Sequence, residues 1–513
     1  MKSIQSTWFN EFSEHIDYHC GWLSPGFNLF SWSLSSLQLS KLFNKTELVT
    51  DDIGAELASR LQLPYSSIKT NLEAVKHESY LWVSNKLYTY SIQNEPFIHL
   101  DTDAYLFNQV DRRLLTASLT AQNFEYDHDN YIQAYQDILT HFKYVPDWIC
   151  KDAYGRLTAI NAGFIGGNDA SFFQEFTTVV ADFLERNQAE LGKCQYDYLN
   201  VFVEQLLFKK YADFKNIPIE YISPIEFGPP CDYKMAEFTQ LPVHCNYVHI
   251  TNYKRNPTVC EQMAQRLWLE SPKLYERVLT VCRQLEASHH AISQPAALQP
   301  VPSPFYRTEH LLNSLQAFSL FNKSAEELEI FIDALPEGQL KVVVTDVFQY
   351  ECRRQDFSRT LPEPAIFKSH WQHYSQQTNT FLGLPLEVFS RKSIRQSAYC
   401  FRIESEWNWA EANEFAGQTA DRNLIDNLQT EPAYYETLLY VYPHAGIIRE
   451  HLLDAINILI LDALETTRSI DSVVDGICDQ VTDHQSQVDH QQLRDTIINR
   501  IRHFLYHGVL EVV

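Results

Sequence analysis

No CxxC pair occurs among the ten cysteines, which are scattered from Cys20 to Cys478. A structural zinc site of the usual spacing is therefore not expected. A chain of 513 residues does not need disulfides to hold a core, so the cysteines read as buried thiols of a cytoplasmic protein. Nowhere do 18 uncharged apolar residues run together, and no membrane span is expected. The first residues, MKSIQSTWFNEFSEH, contain no apolar stretch of the signal-peptide kind. Basic residues are outnumbered: 41 Lys and Arg face 65 Asp and Glu, for a formal net charge of −24. Such a chain is a poor partner for nucleic acid or an acidic membrane surface. Two phosphate-loop signatures are missing as well, since neither GxxxxGK[ST] nor GxGxxG occurs. No tandem repeat stands out.

What is present is enough apolar sequence, 45% of residues, to build real cores. The stretch 286–305, EASHHAISQPAALQPVPSPF, holds four prolines and reads as a linker. Before it, strand and helix patterns alternate. ELVTDD (47–52), PFIHLD (96–101), IEYIS (219–223) and NYVHI (246–250) read as strands. LSSLQLSKLF (34–43), residues 78–93, SFFQEFTTVVADFLERNQAE (171–190) and YLNVFVEQLLFKKYAD (198–213) read as helices. This alternation predicts an α/β domain over residues 1–285, with a mostly parallel sheet flanked by helices. After the linker, 306–430 reads as mainly helical, with 340–355 ambiguous between strand and helix. Residues 431–513 read as a hairpin turning at Pro443 to Gly446, then three helices and a final edge strand, the outline of a small winged-helix unit.

Four segments carry candidate chemistry. In FIHLDTDAYLF (97–107) an apolar strand runs into Asp101 and Asp103. Ligands gather at the carboxyl ends of strands in open α/β sheets, and two carboxylates there suit magnesium or manganese. In AINAGFIGGND (159–169), Gly163, Gly166 and Gly167 indicate a close approach or sharp turn. Asn161 offers an amide to a hydroxyl-rich ligand, and Asp169 stands where a helix N-cap or a catalytic base belongs. In VFVEQLLF (201–208), Glu204 interrupts an apolar helical run and is a second candidate base, unless it faces water. In NYVHITNYKR (246–255), His249 ends a strand and is placed to complete a metal shell. Lys254 or Arg255 follows, in reach of phosphate oxygens.

Together these segments, over residues 25–260, resemble a nucleotide-sugar glycosyltransferase of the GT-A class. The resemblance rests on Asp101–Thr102–Asp103 as the DxD motif, on Asn161–Ala162–Gly163, and on His249 with Lys254 downstream. The glycine expected between that histidine and lysine is absent here. The resemblance implies a GT-A-like fold, with Mn or Mg held by Asp101, Asp103 and His249 and a nucleoside-diphosphate sugar as donor. It implies donor or acceptor contacts from Lys86, Asn161, Gly163, Gly166, Asp169 and Lys254. The tail resembles the PqqD-like domains of peptide-modifying systems, which add a leader peptide as a strand beside a hairpin. That implies a ribosomally made precursor peptide as a partner. The expected function is thus metal-dependent sugar transfer. Its rivals are a transferase-like peptide- or glycan-binding protein without turnover, a metal-dependent hydrolase or nucleotidyltransferase, and a scaffold in a peptide-modifying assembly.

Overall fold

The computed structural model describes residues 1–9, 20–74, 81–223, 226, 237–243, 245–290, 303–316, 320, 322–410, 430–443, 447–484 and 489–513. The described chain forms two compact units. One holds Met1–Leu267 and Lys273–His289, and the other holds Trp268–Pro272 and His290–Val513. Most of the expected linker, 291–302, and the hairpin turn at 444–446 lie outside the described residues. No helix among the described residues is long and apolar enough to cross a membrane.

The first unit carries strands β1 (Lys2–Ser6), β2 (Thr46–Val49), β3 (Ser67–Lys69), β4 (Phe97–Leu100), β5 (Ala104–Leu106), β6 (Leu119–Ala121), β7 (Phe124–Tyr126), β8 (Thr158–Ile160), β9 (Phe164–Gly167), β10 (Ile219–Tyr221) and β11 (Tyr247–His249). Seven of them form one sheet in the order β10-β6-β9-β4-β1-β2-β3. Pairings among β1, β2, β3 and β4, and between β6 and β10, are parallel. The expected mostly parallel sheet flanked by helices is therefore present. The exception is β9, which runs antiparallel to both neighbours, β4 and β6. Gly166 makes that insertion possible: a Cβ there would lie 2.1 Å from the Phe97 carbonyl oxygen.

One face of the sheet is sealed by the aromatic helix Ala170–Arg186, whose Phe172, Phe173, Phe176, Val180 and Phe183 are buried. Phe173 packs edge-on to Phe97 with ring centroids 4.7 Å apart. Each such ring contributes about 1.5–3 kcal/mol of burial. The helix expected over 198–213 is interrupted. Helical segments Tyr196–Val201 and Leu207–Phe214 flank a π-helical turn, Phe202–Leu206.

The second unit carries β12 (Ser393–Gln396), β13 (Cys400–Ser405), β14 (Tyr435–Tyr442), β15 (Ile447–Leu452), β16 (Arg468–Ser469) and β17 (Leu510–Val512) in two antiparallel sheets, β13-β14-β15 and β16-β12-β17. The ambiguous 340–355 run lies within the helix Gln339–Thr360. The hairpin, the three helices and the last strand fall where the sequence places them. The expected boundary at 430/431 does not hold, because β14 pairs with β13 and β17 with β12. A buried charge network braces this unit. Glu351 accepts from the Arg307 and Thr308 amides, at 2.9 and 3.1 Å, in the first turn of the helix Tyr306–Gln316. Glu450 on β15 meets Arg307 Nη2 and Arg354 Nε, each at 2.6 Å.

Candidate metal centre

The strand order reverses beside β1: β2 and β3 extend the sheet one way, and β4 lies on the other side. The carboxyl ends of β1 and β4 therefore flank a switch point, where open α/β sheets bind ligands. Asp101, Thr102 and Asp103 form the turn that leaves β4 there. The turn is gripped from several directions. The Asp101 amide donates to the Gly163 carbonyl at 3.0 Å. Gln5 Nε2, on β1, donates to the Leu100 and Asp101 carbonyls at 3.3 Å. Ser31 Oγ donates to the Thr102 carbonyl at 2.8 Å, and Ser35 Oγ to that of Ala104 at 2.6 Å. Both serines belong to the helix Pro25–Leu42 and are fully buried. Their hydroxyls give the Thr102 and Ala104 carbonyls hydrogen-bond donors inside the fold.

His249 arrives by a separate route. After Asp103 the chain enters β5, which pairs antiparallel with β11 so that His249 faces Ala104. Asp101, Asp103 and His249 each offer a ligand atom, all within 4.8 Å of one another. His249 Nε2 lies 3.6 Å from Asp103 Oδ1. On the far side of the ring, Nδ1 is 2.8 Å from Gln122 Oε1, an oxygen that also accepts from the Tyr247 hydroxyl at 2.7 Å. An acceptor at Nδ1 puts the proton there and leaves the Nε2 lone pair turned toward the aspartates. Gly163 lies against this ring: a Cβ on it would sit 2.4 Å from His249 Cε1 and Nδ1. Asn161 brackets the same turn, accepting from the Gly163 amide at 3.0 Å and donating to Glu125 at 3.1 Å. Two carboxylates and one imidazole nitrogen make a donor set that fits Mg or Mn.

Two lysines reach the aspartates. Lys86 Nζ is 2.9 Å from Asp101 Oδ1 and 2.9 Å from Glu204 Oε1. Lys254 Nζ is 2.8 Å from Asp103 Oδ2. Burial alone would lower both lysine pKa values, but the carboxylates outweigh it and raise them. Burial likewise works to raise Asp103, yet the Lys254 ammonium holds it well below the usual carboxylate range. Glu204 goes the other way: burial, against the pull of Lys86, pushes its carboxyl up. His99 on β4 is pushed down to about 3 by burial and adds no charge near neutral pH.

The structure brings together Asp101, Asp103, His249, Lys86, Lys254, Glu204, Asn161 and Gly163. It does not bring Gly166 or Asp169. Because β9 is antiparallel to β4, Gly167 faces Phe97 at the opposite end of the strand from Asp101. Asp169 lies beyond that end and caps the helix Ala170–Arg186, accepting from the Phe172 amide at 3.0 Å. Its assignment as a base or sugar contact is therefore corrected to a helix cap, and that of Gly166 to a close strand crossing. Glu204 is at the centre, but it is fully buried, and Tyr90 and Lys86 occupy its two oxygens. That arrangement is unsuited to a base that must reach an acceptor hydroxyl. Gln122, Gln5, Ser31, Ser35 and Tyr90 were not singled out from sequence. Ser31 and Ser35, four residues apart, carry the one helical-spacing signal, and it is blurred because the helix Pro25–Leu42 also buries Asn28, Ser33, Ser36 and Gln38.

An open α/β sheet with an Asp–Asp–His cluster at its switch point, counter-charged by two lysines, defines the class of this unit. The chain belongs to DUF6734, a family of unknown function, matched over residues 1–281. The match spans the whole seven-stranded sheet and every residue of the cluster. No curated protein matches the chain.

Proposed function

We propose that the first unit is a metal-dependent glycosyltransferase with a GT-A-like fold. Asp101, Asp103 and His249 hold Mn or Mg, and the donor is a nucleoside-diphosphate sugar. The observation that carries this reading is the convergence of three ligand atoms within 4.8 Å at the strand ends. When bound, the ion supplies charge stabilisation to a departing diphosphate. The chain's own residues do the rest. Gln122 fixes the His249 tautomer. Asn161 and Gly163 set the turn that fits under the ring. Lys254 and Lys86 bring positive charge to the place where phosphate oxygens belong. Neither Asp169 nor Glu204 is proposed as a base. For the acceptor we propose a ribosomally made precursor peptide recognised by the second unit, in which β15 forms a sheet edge suited to strand addition.

A second reading is favoured by the ion pairs themselves. Each aspartate already has an ammonium group within 2.9 Å, which suits a transferase-like protein that binds its ligand without turnover. Calorimetry and diphosphate release across a panel of nucleotide sugars, with manganese and with chelator, separate the two. Mn-dependent binding and release, abolished by Asp103→Ala with an unchanged circular dichroism spectrum, support the transferase. Tight binding with no release assigns the second reading. Binding that survives both chelation and Asp103→Ala places the ligand elsewhere and ends both.

A further inference from the structure

We propose that Lys86 and a divalent cation use Asp101 in alternation, and that Glu204 is the berth that keeps Lys86 in the site when it yields Asp101. Cation binding and diphosphate binding are then coupled through one side chain. This inference rests on the metal-dependent reading above and adds to it an internal competitor.

Lys86 is shared rather than simply paired. Its Nζ is 2.9 and 3.2 Å from the two oxygens of Asp101, and 2.9 and 3.0 Å from the two oxygens of Glu204. Its side chain is only 12% exposed, so it has no ready exit to water. Glu204 is fixed independently of Lys86: Tyr90, one helical turn further along Val83–Ser91, donates to its Oε1 at 2.6 Å. The helix is pinned in turn, since the Val83 amide donates to Asn200 Oδ1 at 3.0 Å. The π-helical turn Phe202–Leu206 carries Glu204, and an inserted residue of this kind re-aims side chains at functional sites.

An ammonium at ion-pair distance and a divalent ion repel each other, and here Lys86 lies against both oxygens of Asp101, so a cation that takes either oxygen displaces it. When Asp101 turns to the cation, Lys86 retains Glu204 and stays within a side chain's reach of the site. Its charge then adds to that of the cation and recruits the diphosphate. The coupling is reciprocal, so diphosphate also tightens cation binding. Glu204 is thus a positioning residue, and it takes no part in proton transfer.

The test is manganese binding to the full chain without nucleotide, followed by calorimetry and by loss of the free-ion EPR signal. Lys86→Met removes the competitor and should tighten Mn binding by about tenfold. Glu204→Gln leaves Lys86 to Asp101 alone and should weaken it by a similar factor. In saturating Mn, the affinity of Lys86→Met for UDP or GDP, whichever the wild type binds, should fall. A merely structural role would move both affinities the same way. If Lys86→Met does not fold, the double variant Lys86→Met/Glu204→Gln, which buries no unpaired charge, carries the same expectation. A wild type that binds no Mn sinks the metal reading itself. A wild type that binds Mn, with Lys86→Met no tighter or Glu204→Gln no weaker, overturns the alternation and leaves the metal reading standing.

Discussion

Gly163→Ala tests the packing that aims His249. The new methyl carbon would lie 2.4 Å from Cε1 and Nδ1 of the ring and 2.6 Å from Gln122 Oε1. Comfortable contacts begin near 3.5 Å, so the ring must retreat by roughly 1 Å. It has little room. Its side chain is 7% exposed, and it extends from a strand register-locked to β5. Overpacking of this kind costs about 1–3 kcal/mol, and breaking the 2.8 Å bond to Gln122 adds about 1 kcal/mol. On the proposed reading, loss of the orienting bond also weakens Mn binding by about 10–100-fold. The assay is a double-mutant cycle in which Gly163→Ala is made in the wild type and in His249→Ala, with urea unfolding followed in all four proteins. Removing the ring leaves only the 2.6 Å approach to Gln122 Oε1, so the penalty should shrink in the His249→Ala background. A penalty of the same size in both backgrounds would refute the proposed juxtaposition.

Two further outcomes follow from the charge networks. Asp103 is held below the ordinary aspartate range, so its stabilising contribution is full above about pH 3.9 and is lost as pH falls below that value. Urea melts from about pH 6 down to about pH 3 should show an acid-dependent loss that Asp103→Asn lacks; identical slopes would contradict the pairing with Lys254. In the second unit, Glu450→Gln leaves the buried Arg307 guanidinium without its 2.6 Å counter-ion. It should cost about 3–5 kcal/mol, read as a lower unfolding midpoint, and a change under about 1 kcal/mol would show that the network is not a brace.

The strand before Asp101 was legible because FIHL is buried on every residue and ends abruptly in acids. That position marked Asp101 and Asp103 as candidate ligands, and His249 was added to them from the end of a separate strand. Strand direction was not legible. FIGG carries no mark of running against its neighbours, and that single reversal moves Asp169 from the candidate site to the opposite end of the sheet. Gln122 was invisible for a related reason: β6 has only three residues, LTA, and offers no period to read. Glu204 drew notice as a carboxylate in an apolar run. Its burial, however, depends on a π-helical turn and on Tyr90, more than a hundred residues earlier, and helical periodicity encodes neither. The boundary at 430/431 failed because it followed local pattern, whereas β14 and β17 find their partners before residue 406.

The electrostatics of the cluster explain why the two readings of the site differ by so little. Asp101, Asp103 and Glu204 bring three carboxylates; Lys86 and Lys254 bring two ammonium groups; His99 is kept neutral by burial. Three carboxylates against two ammonium groups leave one surplus negative charge; burial raises the Glu204 carboxyl, while Lys254 holds that of Asp103 low. A cluster left one charge short of balance in a low-dielectric setting attracts cations strongly. A divalent ion would carry it past neutrality to a net positive charge, the sign that an anionic diphosphate requires. With the lysines alone the site stays slightly negative and repels the same ligand. On this argument nucleotide binding at the strand ends must depend on the divalent ion. Diphosphate affinity that is equal with manganese and with chelator would contradict the argument, whatever the reaction proves to be.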